Sequence, residues 1–112
     1  MKTKDVTMET FEAVVDENPL VILDFWAEWC APCKTFGPIF DQLAELNPDI
    51  FFGKVDTEKA VDLAQAFQIR SIPSILAFHK GELVFEGSGI LQPAQMGRLL
   101  DALRSGELEP IS

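Results

Sequence analysis

The sequence predicts an α/β domain built on a mixed β-sheet. Apolar residues at helical spacing alternate along the chain with short β-rich runs. One run, Leu20 to Trp26, is apolar almost throughout, as a strand buried on both faces must be. Two later runs are separated only by Lys80-Gly81, a tight hairpin signal that forces at least one antiparallel pair. The order reads β-α-β-α-β-α-β-β-α within a single domain spanning residues 1–112.

Thr3 to Val6 reads as a short edge strand. Thr7 is placed to cap a helix in which Met8, Phe11, Val14 and Val15 share a face, and Asn18-Pro19 stops it, because proline disfavours helical geometry in the residue before it. After the strand Leu20 to Trp26, a long helix follows the cysteines, with Phe36, Ile39, Phe40, Leu43 and Leu46 on its apolar face, and ends near Asn47-Pro48. Ile50 to Val55 is the next strand. Asp56-Thr57-Glu58 looks like a helix start capped by Thr57, with Val61, Ala64 and Phe67 on the buried side. Ser74 to His79 and Glu82 to Glu86 form the hairpin. Gln92-Pro93 opens the last helix, Met96, Leu99, Leu100 and Leu103 stripe it, Gly106 ends it, and residues 107–112 read as a loose tail. The central strand–helix–strand unit is expected parallel and right-handed.

Of the 112 residues 47% are hydrophobic and nine are Phe, enough for a core. Area scaling predicts roughly 6,200 Å² of accessible surface when folded against roughly 18,000 Å² extended. A net charge of −9 argues against nucleic acid as a partner, since phosphates reward basic patches. That acidity serves solubility or biases the choice of protein partner. No apolar run reaches membrane-spanning length, and Met1 to Thr7 has lysines but no apolar segment behind them, unlike a signal peptide. The expected compartment is the cytoplasm, where paired cysteines are more often catalytic or metal-binding than structural.

The chemistry concentrates in Asp24-Phe25-Trp26-Ala27-Glu28-Trp29-Cys30-Ala31-Pro32-Cys33, which holds both cysteines and both tryptophans. Two thiols with two residues between them can close a small-loop disulfide. Cys30 falls at the N-terminus of the following helix, where unsatisfied N–H groups and the positive end of the macrodipole favour an anion. An anionic cysteine is a thiolate, the reactive form. The alternative is half of a zinc or iron–sulfur site; a structural zinc needs four ligands, and the chain offers two cysteines and one histidine, His79.

The run from Asp24 to Lys34 resembles the active-site segment of the thioredoxin family. The likeness continues through Pro38 in the next helix, Lys54-Val55-Asp56, Ile72-Pro73-Ser74, Lys80-Gly81-Glu82 and Gly87-Ser88-Gly89, in one order over nearly the whole chain. The resemblance implies a five-stranded sheet of order 1-3-2-4-5 flanked by four helices. It also implies a protein-disulfide reductase that needs no bound cofactor or metal and receives electrons from a flavin-dependent thioredoxin reductase. Cys30 is then the attacking thiol, and Cys33, one turn in and more buried, the resolving thiol of exchange through a mixed disulfide.

The resemblance puts the family's buried aspartate at Asp24, where desolvation would raise its pKa and let it take a proton from Cys33 and return it; a carboxylate exposed at a strand end is the plainer reading. Lys54 is its candidate partner, or else a solvated strand lysine. The family's cis-proline falls at Pro73, which would turn the backbone of Ile72 toward Cys30, its N–H and C=O open to an extended substrate. Trp29, Ala31, Pro32, Ile72, Pro73 and Gly89 would surround the sulfur as an apolar patch, with Ile90 either joining it or packing in the core. Trp26 reads as core. Pro38 bends its helix, and Lys34 either supports the thiolate or is simply solvated.

The chain departs from the family at Ala31-Pro32, where Gly-Pro is most frequent, at Ser71, where a small residue such as Gly is common, and at Ser74, where Thr is frequent. One added methyl at Ala31 changes the redox poise little, and the retained Pro32 does not imply a strong oxidant. The expected protein is a monomeric cytoplasmic reductase of disulfide-containing proteins, serving electron transport and cell redox homeostasis. A thiol oxidase or isomerase, and a non-catalytic binding subunit, are the alternatives.

Overall fold

The computed structural model describes residues 2–111. Nine elements alternate as expected: β1 (Lys4–Asp5), α1 (Met8–Glu17), β2 (Leu20–Trp26), α2 (Ala31–Leu46), β3 (Phe51–Asp56), α3 (Val61–Ala66), β4 (Ser74–His79), β5 (Glu82–Ser88) and α4 (Pro93–Ser105). One sheet runs in the order β1-β3-β2-β4-β5. β1, β3 and β2 are parallel, whereas β4 is antiparallel to both β2 and β5. The accessible surface is 6339 Å², close to the value that chain mass alone predicts.

Side chains alternate across the pleat of β2, so its apolar run feeds two cores. Ile22 packs with Phe36, Phe40 and Ala44 of α2 and the Met96–Leu103 stripe of α4. Val21, Leu23 and Phe25 point the other way, toward Val15 of α1 and Leu63 and Ala64 of α3. Edge-to-face aromatic pairs knit both layers: Phe40 on Phe52 at 5.1 Å, and Phe11 on Phe67 and Phe78 at 5.3 and 5.4 Å. The hairpin turns through Lys80 and Gly81, both at positive φ (52° and 84°), as a two-residue turn of this hand requires. Arg104 of α4 clasps the α2–β3 connection, donating to both oxygens of Asp49 (2.7 and 3.0 Å) and to Asn47 (2.8 Å).

Three expectations are corrected. The helix predicted from Thr57 begins only at Val61. The Thr57 N–H and hydroxyl both donate to the Trp26 carbonyl (2.9 and 3.1 Å), which holds this residue to β2, and Asp56 Oδ1 closes its own turn on the Glu58 N–H at 2.9 Å. Consequently Leu63 and Ala64 are buried and Val61 is exposed. On α2, Leu46 is exposed, because the buried arc centres on Cys33, Phe36, Gly37, Phe40 and Ala44. The two small residues let the helix approach the sheet, turning the bulkier Ile39 and Leu43 to its flank. Finally, the strand expected over Thr3 to Val6 keeps only Lys4 and Asp5, although the Val6 N–H still donates to the Lys54 carbonyl at 2.9 Å.

Residues 107–111 carry no regular structure, yet Leu108 packs on the α4-side core and the Ile111 N–H donates to the Leu83 carbonyl at 2.8 Å. At Gly53, where β3 lies between β1 and β2, a Cβ would stand 2.7 Å from both Leu23 Cδ2 and Val6 Cγ2. Gly53→Ala is therefore expected to cost about 1–3 kcal/mol through overpacking, read as a lower urea midpoint with an unchanged m-value.

Candidate active site

The site begins where a helix needs a cap. Cys30 is the N-cap of α2, in extended geometry (φ −91°, ψ 107°), and its Sγ accepts the Cys33 backbone N–H at 3.2 Å. Side-chain capping of this kind is ordinarily done by oxygen. Cys30 and Cys33 are joined by a disulfide, their Cα atoms 5.3 Å apart. The Cys30 sulfur also lies 3.8 Å from the Ile72 carbonyl oxygen, a contact only, since a disulfide sulfur has no proton to donate.

Both cysteines are almost covered, 3% and 4% exposed, which corrects the expectation that Cys33 is the deeper. Ala27, Trp26 and Ile72 pack against the pair as a unit. The sulfurs therefore differ in position along the helix, one at its mouth and one a turn inside.

The Ile72–Pro73 peptide bond is cis. Pro73 is buried and Ile72 half-buried, just ahead of the first paired residue of β4, Ser74. Gly89, at φ 86°, donates its N–H to the Pro73 carbonyl at 2.8 Å, which fastens its loop to the proline. Ala31 and Pro32 are exposed on the first turn of α2. Trp29 stands 68% exposed, and its indole N–H donates to Glu58 Oε2 at 2.8 Å. Trp29, Ala31, Pro32, Ile72, Pro73 and Gly89 thus come from three separate loops and helix ends. Ile90 packs against the α4-side core. Lys34 faces Glu28 at 3.8 Å, both well exposed, an ion pair of little energetic weight.

Beneath this surface, Asp24 is 1% exposed, and neither of its carboxylate oxygens has a hydrogen-bond partner in the protein. It projects to the same face as Ile22, the face that α2 covers. Burial pushes its pKa up to about 7; Lys54 opposes this and Asp41 adds to it. Lys54 is the register partner of Asp24 on β3, but no ion pair joins them among the described residues. The Lys54 ammonium lies over the Trp26 ring, 5.2 Å from its centroid, in a cation–π contact.

Sequence reasoning did not find Asp41 or Glu58. Asp41 had a signal: it lies two turns beyond Cys33 on α2, four residues past Gly37. Glu58 had none, because its bond to Trp29 spans 29 residues and exists only once β2 and β3 are paired. Among the described residues no group of three or more His, Cys, Asp or Glu is arranged to hold a metal ion, and no helix is long and apolar enough to cross a membrane.

The comparisons with known proteins converge. The thioredoxin family profile matches residues 2–102. A Streptomyces coelicolor protein assigned as thioredoxin 2 is 43% identical over 109 residues, covering 97% of this chain and 81% of its own. Thioredoxin C-3 of Corynebacterium nephridii is 38% identical over 98 residues, covering 87% of this chain and 68% of its own. Among solved structures, a mutant thioredoxin from Halobacterium salinarum superposes with a TM-score of 0.85 at 28% identity, over 98% of this chain and 94% of that one.

The buried carboxyl fixes a pH dependence. In the folded protein Asp24 keeps its proton up to about pH 7, against 3.8 as its ordinary value. Between those values the folded state binds more protons than the unfolded, so stability falls as pH rises, and the whole penalty stands above pH 7. Asp24→Asn should stabilise the oxidised protein at pH 8 by on the order of 3–4 kcal/mol and change it little at pH 3. Urea midpoints at the two pH values check this; an equal gain at both would contradict it.

Proposed function

The chain belongs to the thioredoxin family and is a thiol-disulfide oxidoreductase acting as a disulfide reductase, and from that premise we propose a division of labour among its residues. The carrying observation is the cap bond between the Cys33 N–H and the Cys30 sulfur, at the end of a helix sixteen residues long. In the reduced protein that N–H, together with the positive end of the helix, stabilises negative charge on Cys30. The Cys30 thiolate attacks one sulfur of a substrate disulfide. A Cys30–substrate bond forms, the substrate S–S bond breaks, and the departing thiolate takes a proton from water.

Cys33 then resolves the mixed disulfide. Asp24, its carboxylate beneath α2, accepts the Cys33 proton, and the new thiolate attacks Cys30. The Cys30–Cys33 bond closes, and the second substrate thiolate leaves and takes up the proton that Asp24 returns. Two electrons and two protons have passed to the substrate. Trp29, Ala31, Pro32, Ile72, Pro73 and Gly89 receive the substrate segment, and the Ile72 backbone pairs with it in extended form. Lys54 bears on Asp24 electrostatically from the neighbouring strand. The acceptors on this reading are disulfide-containing proteins, and a flavin-dependent thioredoxin reductase restores the dithiol. The protein works as a monomer in the cytoplasm.

Insulin reduction with dithiothreitol tests the activity: the protein accelerates precipitation, whereas a pure binding subunit would not. Cys33→Ser should accumulate a covalent complex with substrate while Cys30→Ser does not; identical behaviour of the two would reverse or void the assignment. Asp24→Asn should slow release of the mixed disulfide at pH 7 by about tenfold or more while leaving first attack nearly unchanged.

A further inference from the structure

Asp24 shares its enclosure with a second carboxylate. Successive turns of α2 present Cys33, Gly37 and Asp41 toward the side where Asp24 and Lys54 project. Gly37 leaves a slot there: a Cβ on it would lie 3.8 Å from Lys54 Nζ, so the ammonium reaches the inner side of the helix one turn before Asp41. Asp41 Oδ1 is buried with no hydrogen-bond partner in the protein, as are both Asp24 oxygens and Trp26 Nε1. These four are the buried side-chain polar atoms without partners among the described residues, and each is costly to leave desolvated.

We propose that the Asp41 carboxylate is the counter-charge to the Lys54 ammonium in this enclosure, and that it thereby governs proton exchange between Asp24 and Cys33 as a positioning residue. The inference rests on Asp24 acting as the base described above. Without Asp41 the lysine acts on Asp24 unopposed. Asp24 then ionises at lower pH and becomes a weaker base toward Cys33. The remaining charges are placed differently. β3 adds Asp56, on the same face one pleat beyond Lys54, and β1 ends in Asp5; both line a cavity of about 230 Å³ with Lys54, Trp26, Glu28 and Lys59, on the side of Lys54 away from α2. From β4, Ile75 lies beside Asp24 in register, and from α4 Met96 packs into the same core, while His79, at the far end of β4, lies by Gly106. Glu28 and Lys34 pair at the surface. Asp41 is therefore the negative group enclosed with Asp24 from the helix side; it raises the proton affinity of Asp24, and Lys54 lowers it.

The test follows the Asp24 carboxyl carbon by NMR from pH 4 to 9 in the oxidised protein, alongside the pH profile of mixed-disulfide release. Asp41→Asn should lower the Asp24 midpoint by about half a pH unit or more, and the release profile should move with it. Lys54→Met should move both upward, the double variant should return toward the parent, and Asp41→Glu, which keeps the charge, should stay near it. If Asp41→Asn moves neither quantity while Lys54→Met moves both, the role of Asp41 is refuted and that of Asp24 stands. A moved midpoint with an unmoved release profile refutes it equally. If release tracks the Asp24 midpoint in none of the variants, Asp24 is not the base and both assignments fall.

Discussion

The chemistry of this molecule depends on how one helix is started. A helix begins with N–H groups that its own backbone cannot satisfy, and α2 meets part of that need with the sulfur of Cys30. Because the acceptor is sulfur, the atom that completes the secondary structure is, on the proposed reading, also the atom that reacts. Sequence spacing does the rest: a cysteine at the cap places the next one, three residues on, a turn inside the helix. The loop before β4 then supplies the opposite wall, with Ile72 packed on the pair. Local folding and redox competence are thus one geometric requirement.

Closing a helix over a carboxylate is the second constraint, and it works against stability. Asp24 sits in the centre of a strand whose neighbours on the same face are core residues, and the enclosure gives its oxygens no hydrogen-bond donor from the protein. A chain selected only to fold would place an apolar residue there. The small residues Gly37 and Ala44 are buried in the face that α2 lays on the sheet, and Gly37 leaves the lysine its reach. Gly37 thus serves both the packing of α2 and the approach of the lysine.

Most of this architecture was legible because it is written in short-range pattern. β2 and β4 span the residues expected of them, Leu20–Trp26 and Ser74–His79, and the α4 stripe of Met96, Leu99, Leu100 and Leu103 is buried as its period demands. The hairpin follows from Lys80-Gly81 alone. What escaped depends on tertiary choice. Thr57 has the chemistry of a helix cap but bonds to the Trp26 carbonyl once β3 lies beside β2. On α2, Phe36 and Phe40 are buried as read, but the small Gly37 and Ala44 take the contact that Leu46 was expected to make. The two cysteines are nearly equally buried, and one of the residues packed on them, Ile72, is distant in sequence. Asp41 stayed hidden for a related reason: a carboxylate flanking an apolar stripe looks solvated until the sheet beneath it is known to carry another.

The short segment after α4 has its own consequence. Its bond from the Ile111 N–H to the Leu83 carbonyl occupies part of the outer rim of β5, where Glu82 and Glu86 are also exposed. The opposite rim, β1, is only two residues long. Charge, brevity and an occupied carbonyl each make a strand margin a poor template for growth. A molecule that exchanges disulfides with other proteins is in this way guarded against becoming a seed on which their chains stack.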